Sequence, residues 1–519
     1  MATVERATGV AEAVLPDLDE GSEGPLPHGG QGSRGSGQGE GLLRPPRGAA
    51  RPGRLPRIGN VPGRLRWFTA GCLLLTVVLA AVVLTAASGA QSTWSTVTGR
   101  QAPQVLDATG LYQSLTDLDA QTANIMVFGD DPKLAAQRAT ALAQYARDRT
   151  GADRDLQQAT VSAAGDARVQ SALAGVLDGM GSYQDLAGRA MELNDRARAA
   201  AGHPDPTALA EYRRATDLMR TTLLPAADRL VQANNAAFTG SYDRQRAALS
   251  DAEGWTLGIG AALLAGLLAL QVWLARAFRR IVNPALAAAT LLVVAFLALA
   301  GTLLPDQGER LRVARHDAFD SVVALSRARA VVSDANADES RYLLDQDRAP
   351  QYQAAFEAAS QQIAALPGVD ITGYDTALAA AVTAYQGDHA DIGFGGFYGT
   401  EFRNITFSGE RAAAERALTT YQAYELDDRR IRALVAEGRL DDAIAYGTSL
   451  APGGSNAAFE AQDTALQQVI AVNSDAFTAA AHDGRGQLSF RIPLLAGSAA
   501  VVLLLCLVGV RPRLAEFRA

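Results

Sequence analysis

The sequence predicts an all-α integral membrane protein: four transmembrane helices with two duplicated extracytoplasmic helical-bundle domains. Three observations predict it. Four apolar runs, 67–87, 255–275, 285–304 and 490–510, each reach the roughly 20 residues a helix needs to cross a bilayer. The long segments between them, 88–254 and 305–489, are rich in Ala, Leu, Gln, Arg and Asp and poor in β-branched runs, a helix-forming composition. Two short phrases recur at matching distances from the neighbouring spans, as duplication would leave them.

Residues 1–66 are acidic first (Glu5, Glu12, Asp17, Asp19, Glu20, Glu23), then Gly-rich, then Arg-rich. Apolar periodicity is almost absent, which predicts a disordered cytoplasmic tail. Its arginine block suits membrane topology and attraction to anionic lipid. The first span follows, and "ASGA" at 87–90 would suit a signal peptidase. The apolar run before it is longer than a typical signal core, so an uncleaved anchor is expected.

No span carries a charge well inside it; Arg491 sits at the edge of the fourth. Trp67, Trp255 and Trp273 fall at span ends, where interfacial tryptophans lie. Arginines set the orientation. Arg51, Arg54, Arg57, Arg64 and Arg66 precede span one, Arg276, Arg279 and Arg280 occupy the link 276–284, and Arg511, Arg513 and Arg518 occupy the tail 511–519. Four crossings put all of these on one face, which the positive-inside rule makes cytoplasmic. The prediction is a multi-pass plasma-membrane protein with both termini in the cytoplasm. Arg310, Arg312 and Arg315 stand on the opposite side, but they open a long segment, and long translocated domains largely escape that rule.

Gly/Pro/Asp clusters predict the turns: "FGDDP" (128–132), "AGHPDP" (201–206) and "LLP" (223–225), then "DQDRAP" (345–350), "LPGVD" (366–370), "GFGGFYG" (393–399) and "APGGS" (451–455). The repeated phrases are "LDAQTANIMVFGDDP" (118–132) with "SDANADESRYLLDQDRAP" (333–350), and Asn234–Phe238 with Asn473–Phe477. Ala227, Val231, Asn234 and Phe238 are spaced four, three, four, and Leu466, Ile470, Asn473 and Phe477 repeat that spacing. Such spacing predicts a bundle seam whose Asn fixes register, with Phe one turn later. Beyond the Phe come small and polar residues, among them Ser241, Gln245, Gly484 and Gln487, so the stems into the membrane are expected to be loosely held.

Composition narrows the function. The net charge is −8, and the 47 Lys and Arg residues, with Lys133 the one lysine, are spread along the chain, unlike a nucleic-acid-binding face. Cys72 and Cys506 both lie in apolar runs, and the five histidines are scattered singly, so neither a disulfide framework nor a zinc-type spacing is expected. A phosphate loop and a nucleophile elbow are missing, so the chain reads as non-enzymatic and without a cofactor. The spans lack the buried charges that mark transport paths. Gly258, Ala262 and Gly266 form a small-residue ladder suited to helix packing in lipid. The stretch 391–407 alternates glycines with Phe394, Phe397, Tyr398, Phe402 and Phe407. These aromatics either plug their own bundle or form a partner-docking loop.

Paired helical domains between spans resemble the four-helix-bundle periplasmic sensors of bacterial chemoreceptors, and "LLPAADRLVQANNAAF" looks like the last bundle helix of that class. Four spans, a doubled outside domain and the stretch 438–477 resemble the actinobacterial GlnX-type transmembrane signalling proteins. That resemblance implies a signal relay. An extracytoplasmic solute-binding lipoprotein reporting amino acid availability would act on the outside domains, and a cytoplasmic serine/threonine kinase would read the result in trans. The other function class that fits is a structural or scaffold protein of the cell envelope. The sequence leaves open whether two copies pair as a homodimer.

Overall fold

A computed structural model describes residues 61–162, 167–278 and 283–515. Residues 1–60, Arg279, Arg280 and Arg518 lie outside the described residues, and with them nearly all of the predicted tail. Among the described residues every regular element is helical, and the β-structure is one isolated bridge between Ala200 and His203.

Helix α1 (Val61–Thr96) begins inside the stretch assigned to the tail and passes through a π-helical turn, Val97–Gln101, into α2 (Ala102–Phe128). Helices α3 (Ala135–Ser162) and α4 (Ala167–Ala197) follow. Helix α5 (Pro206–Leu218) runs through a second π turn, Met219–Leu223, into α6 (Leu224–Phe278). Helix α7 (Pro284–Arg312) runs through a third, Val313–Phe319, into α8 (Asp320–Leu344). The remainder is α9 (Ala349–Ile363), α10 (Tyr374–Gly387), α11 (Gly396–Arg403), α12 (Glu410–Ala436), α13 (Leu440–Gly447) and α14 (Ser455–Ala515).

Four continuous helical rods result: Gly63–Phe128, Pro206–Ala277, Pro284–Leu344 and Ser455–Pro512. They hold 66, 72, 61 and 58 residues, and each is long and apolar enough to cross a membrane. At about 1.5 Å per residue they are roughly 90–110 Å long, far more than a bilayer needs. Each rod is therefore both a span and a bundle helix. Leu74, Leu257 and Leu291 are 64%, 67% and 71% exposed on the outer face of the apolar parts, as lipid-facing residues are.

Local chemistry explains most of the boundaries. Asp205 caps α5 by accepting from the Thr207 and Ala208 amides at 2.8 and 3.0 Å, with Pro206 at the first helical position. Asn283 caps α7 in the same way through Ala285 and Leu286. Gly129 ends α2 at φ 54°, where an added Cβ would lie 2.3 Å from the Ala199 carbonyl. At "LLP" the expected turn does not occur. Pro225 cannot donate a helix hydrogen bond, and the wider π turn before it keeps the helix running.

Four apolar cores hold the rods together. One runs from Leu65 in α1 through the spans and up to Phe238, Phe319 and Phe477. A second fills the bundle of α2, α3, α4 and α6, and a third the bundle of α8 to α12 with α14. A fourth joins both bundles at the membrane-distal tip, where Ile125, Met126 and Phe128 meet Leu343, Ile431 and Ile444.

Candidate functional site

The repeated phrases meet each other. In the first pair, Ser340 donates to the Asn124 amide oxygen at 2.6 Å, and Ser333 donates to the carboxylate of Asp117, the residue just before the phrase at 118–132. Both contacts advance seven residues along α2 and seven along α8, so the two helices pack parallel and in register at heptad spacing. Arg341 lies at the centre of this seam with no exposed surface. It donates to Asp119 on α2, to Asp338 at 2.6 Å and to Asp334 at 3.1 Å. Asp119 and Asp338 are themselves 1% exposed. Arg220, from the π turn before α6, adds a hydrogen bond to Asp338 at 2.9 Å. Removing one member of such a buried ionic group strands the others without water, so the seam is sensitive to the arrangement of both halves.

The second pair of phrases meets nearer the membrane. Phe238 and Phe477 approach edge to face at 6.4 Å between ring centroids. Phe319 bridges them at 4.7 and 5.1 Å. The two asparagines are buried beside these rings. The Asn234 amide donates to the Gln104 carbonyl at 3.1 Å, tying α6 to α2, and the Asn473 amide donates to the Val469 carbonyl at 3.2 Å within α14. Asn473 also faces the fully buried Glu401. Burial and the neighbouring Glu410 push the Glu401 carboxyl up to about 8.

Phe319 ends the π turn that also holds Arg315, whose guanidinium lies 4.9 Å from the Phe238 ring and donates to Thr239 at 2.7 Å. The arginines that ran against the charge rule thus have partners. Arg310 pairs with Asp306 and Asp483, Arg312 with Glu309 and Asp317, and Arg315 with Asp320.

Below this level the stems are held more firmly than their small residues predicted. Trp94 of α1, fully buried, fills the space left by Gly484, where an added Cβ would fall 2.7 Å from the indole. Its Nε1 donates to Gln307 at 3.0 Å, Gln307 donates to the Gly484 carbonyl at 3.3 Å, and Gln101 donates to Ser241 at 2.7 Å. The gap in one pair of helices is a socket for an indole from another.

The remaining candidate residues lie elsewhere. Phe394, Tyr398 and Phe402 are 2%, 1% and 4% exposed in the second bundle's core, where Phe402 meets Phe394, Tyr398 and Tyr385 edge to face and Phe394 also meets Tyr385. Tyr398 also donates to the Ala417 carbonyl at 2.9 Å. Packing is what these three do; Phe397 alone of the four is half-buried. The glycines among them serve the backbone: Gly396 has φ 68°, and an added Cβ there would meet the Gln362 carbonyl at 2.4 Å. In the spans, Gly258 and Ala262 face outward and Gly266 lies beside Cys72. The close helix approach is made instead by Gly260, where a Cβ would fall 2.4 Å from Leu297 of α7.

Arg341, Asp119, Asp338, Phe319 and Trp94 carry no distinctive signal in the sequence. The polar ones look like a solvated helix face, because the groups that cover them are equally polar and come from distant segments, Arg341 reaching Asp119 across 222 residues and Arg220 reaching Asp338 across 118. The one available signal was the phrase match itself, which pairs the two seam helices with each other.

The fold defines a multi-pass, all-helical membrane protein whose apolar helices continue into helical bundles. Residues 93–243, from the α1 stem through the first bundle to the α6 stem, match the family model described as an actinobacterial sensor domain. That match supports an actinobacterial sensor protein. No curated protein and no solved structure matches the chain.

Proposed function

We propose that the chain is a non-enzymatic transmembrane signal relay built as an internal pair, its second span–bundle–span unit being a copy of its first. The carrying observation is that both repeated phrases contact their own counterparts across the midline, on rods that run unbroken into the apolar segments. A change in how the bundles pack must then move the spans, because no flexible joint separates them. The sensor-domain match at 93–243 supports sensing as the task.

In this proposal the segments 88–254 and 305–489 face outward, where they receive a ligand or a solute-binding lipoprotein reporting amino acid availability. Both termini and the link 276–284 face a cytoplasmic serine/threonine kinase. The arginine pattern supports the orientation, and the resemblance to GlnX-type proteins supports the partners. The test is to purify the full chain from its native membrane after cross-linking, and to measure kinase output with the gene present and deleted. Recovery of the kinase and a lipoprotein, with altered output on deletion, is expected. Recovery of envelope-assembly proteins alone, with unchanged output, would refute the relay.

A further inference from the structure

A cavity of about 310 Å³ lies on one side of the seam, walled by α2, α3, α8 and α14. Ligand pockets begin at about this size. A second cavity of about 530 Å³ adjoins it, sharing Asp117 and Arg329 in its wall. Carboxamides are the largest group of polar side chains in the first cavity. Gln121, Gln137, Asn336 and Asn456 all line it, and among the described residues none of the four makes a side-chain hydrogen bond to the protein. Asn336 is 4% exposed, so its free amide is both buried and turned to the cavity. Asn124 is 5% exposed and lines the same wall; its oxygen is used by Ser340, while its NH₂ has no protein partner among the described residues. These amides open onto the cavity and take no bond from the protein, so the wall suits an occupant that supplies donors and acceptors to them.

The buried charged groups in the wall already have hydrogen-bond partners. Arg329 holds Asp463 through two hydrogen bonds, one of them at 3.0 Å. Asp117 accepts from Ser333 and from Gln113. Arg147, exposed at the rim, is hydrogen-bonded to Gln144, and exposed Glu460 brings the opposite charge. Exposed Arg147 and Glu460 stay solvated, and an ion passing into the buried part would lose its hydration and meet there only groups that already have hydrogen-bond partners. Each free carboxamide offers one acceptor oxygen and two donor hydrogens, which is the complement of a hydroxyl that both donates and accepts. The Phe459 ring adds an apolar surface to the wall.

We propose that this cavity binds a small, uncharged, hydroxyl-rich molecule of the size of a sugar or polyol. It would be an input of its own, received directly by the chain across the seam. Its use as a signal rests on the relay reading; the binding itself does not.

The test is isothermal titration of the full chain in lipid nanodiscs with glycerol, D-glucose and trehalose, alongside L-glutamate and L-glutamine. One of the three hydroxyl-rich probes is expected to bind one-to-one with a Kd below about 1 mM. Asn336→Leu and, separately, the half-buried Gln121→Leu should each weaken it about tenfold while circular dichroism of the empty chain stays unchanged. Absence of heat with all three probes overturns the proposal. Full affinity retained in both variants overturns the site, and an amino acid binding here in their place overturns the ligand class. A chain that binds the probe without any change in kinase output would remove the cavity as a signal input and leave the binding site standing, while the relay itself fails only if deletion of the gene leaves output unchanged.

Discussion

Replacing Arg341 by Leu tests the seam most sharply at the level of stability. The substitution removes the cation shared by Asp119, Asp334 and Asp338 and leaves Arg220 on Asp338 as the remaining compensation. Asp119 and Asp338 are 1% exposed, so water cannot replace the lost bonds. Breaking a buried ion pair from one side costs about 3–5 kcal/mol. At about 2–4 °C per kcal/mol for domains of 150–250 residues, the thermal midpoint of the full chain in detergent should fall by roughly 6–20 °C. Far-UV circular dichroism during heating measures it. Adding Asp119→Leu to Arg341→Leu should recover a large part of the loss, because the stranded carboxylate goes too. An unchanged midpoint for Arg341→Leu would refute the picture of a desolvated ionic seam. A double variant no more stable than the single would refute uncompensated charge as the cause.

Other predictions follow from single contacts. Burial pushes the Glu425 carboxyl up from 4.5 to about 7, despite the hydrogen bonds it accepts from Tyr421 and Ser360. The folded chain keeps a proton there that the unfolded chain releases, so Glu425's contribution to stability is greatest below about pH 4.5 and declines up to pH 7 by about 3 kcal/mol. Glu425→Gln should flatten that part of the thermal midpoint's pH profile, and a variant with the full slope would exclude Glu425 as its source. Gly484→Val drives a side chain into the Trp94 indole and should cost about 1–3 kcal/mol, with altered tryptophan fluorescence reporting the displaced ring. Unchanged emission and midpoint would mean the socket is not occupied. Val161, 81% exposed on the first bundle, supplies a topology test. Val161→Cys should react with a membrane-impermeant maleimide in intact cells, and labelling only after lysis would invert the proposed orientation.

Much of the architecture was legible because lipid and helices both write strong patterns. Runs of twenty uncharged residues are rare outside membranes, and the rods begin and end near the Gly/Pro/Asp clusters at 128–132, 201–206 and 345–350. The failure at "LLP" has a local cause, since a π turn accommodates a proline without leaving a distinct sequence mark. Asn234 and Phe238 could be placed on a seam from spacing alone, but not the identity of the surface they meet. Phe319 completes their aromatic cluster from a third rod, and Trp94 fills the gap at Gly484 from a fourth. Contacts between segments hundreds of residues apart leave no periodic trace in either one. The glycine–aromatic stretch shows the opposite limit. Its composition suits an interface or a core equally well, and only the backbone course reveals that three of its rings turn inward.

In the proposed relay the two halves signal by changing their packing along α2 and α8. A reversible lock tests it: Asp117→Cys with Ser333→Cys places two thiols where a side-chain hydrogen bond now joins the helices. Kinase output is measured in cells shifted between amino-acid-replete and starved medium, before oxidation, after it, and after reduction. The expected result is a disulfide that forms readily, output frozen while it persists, and a restored response once it is reduced. A fully cross-linked chain that still responds as the parent does would contradict it.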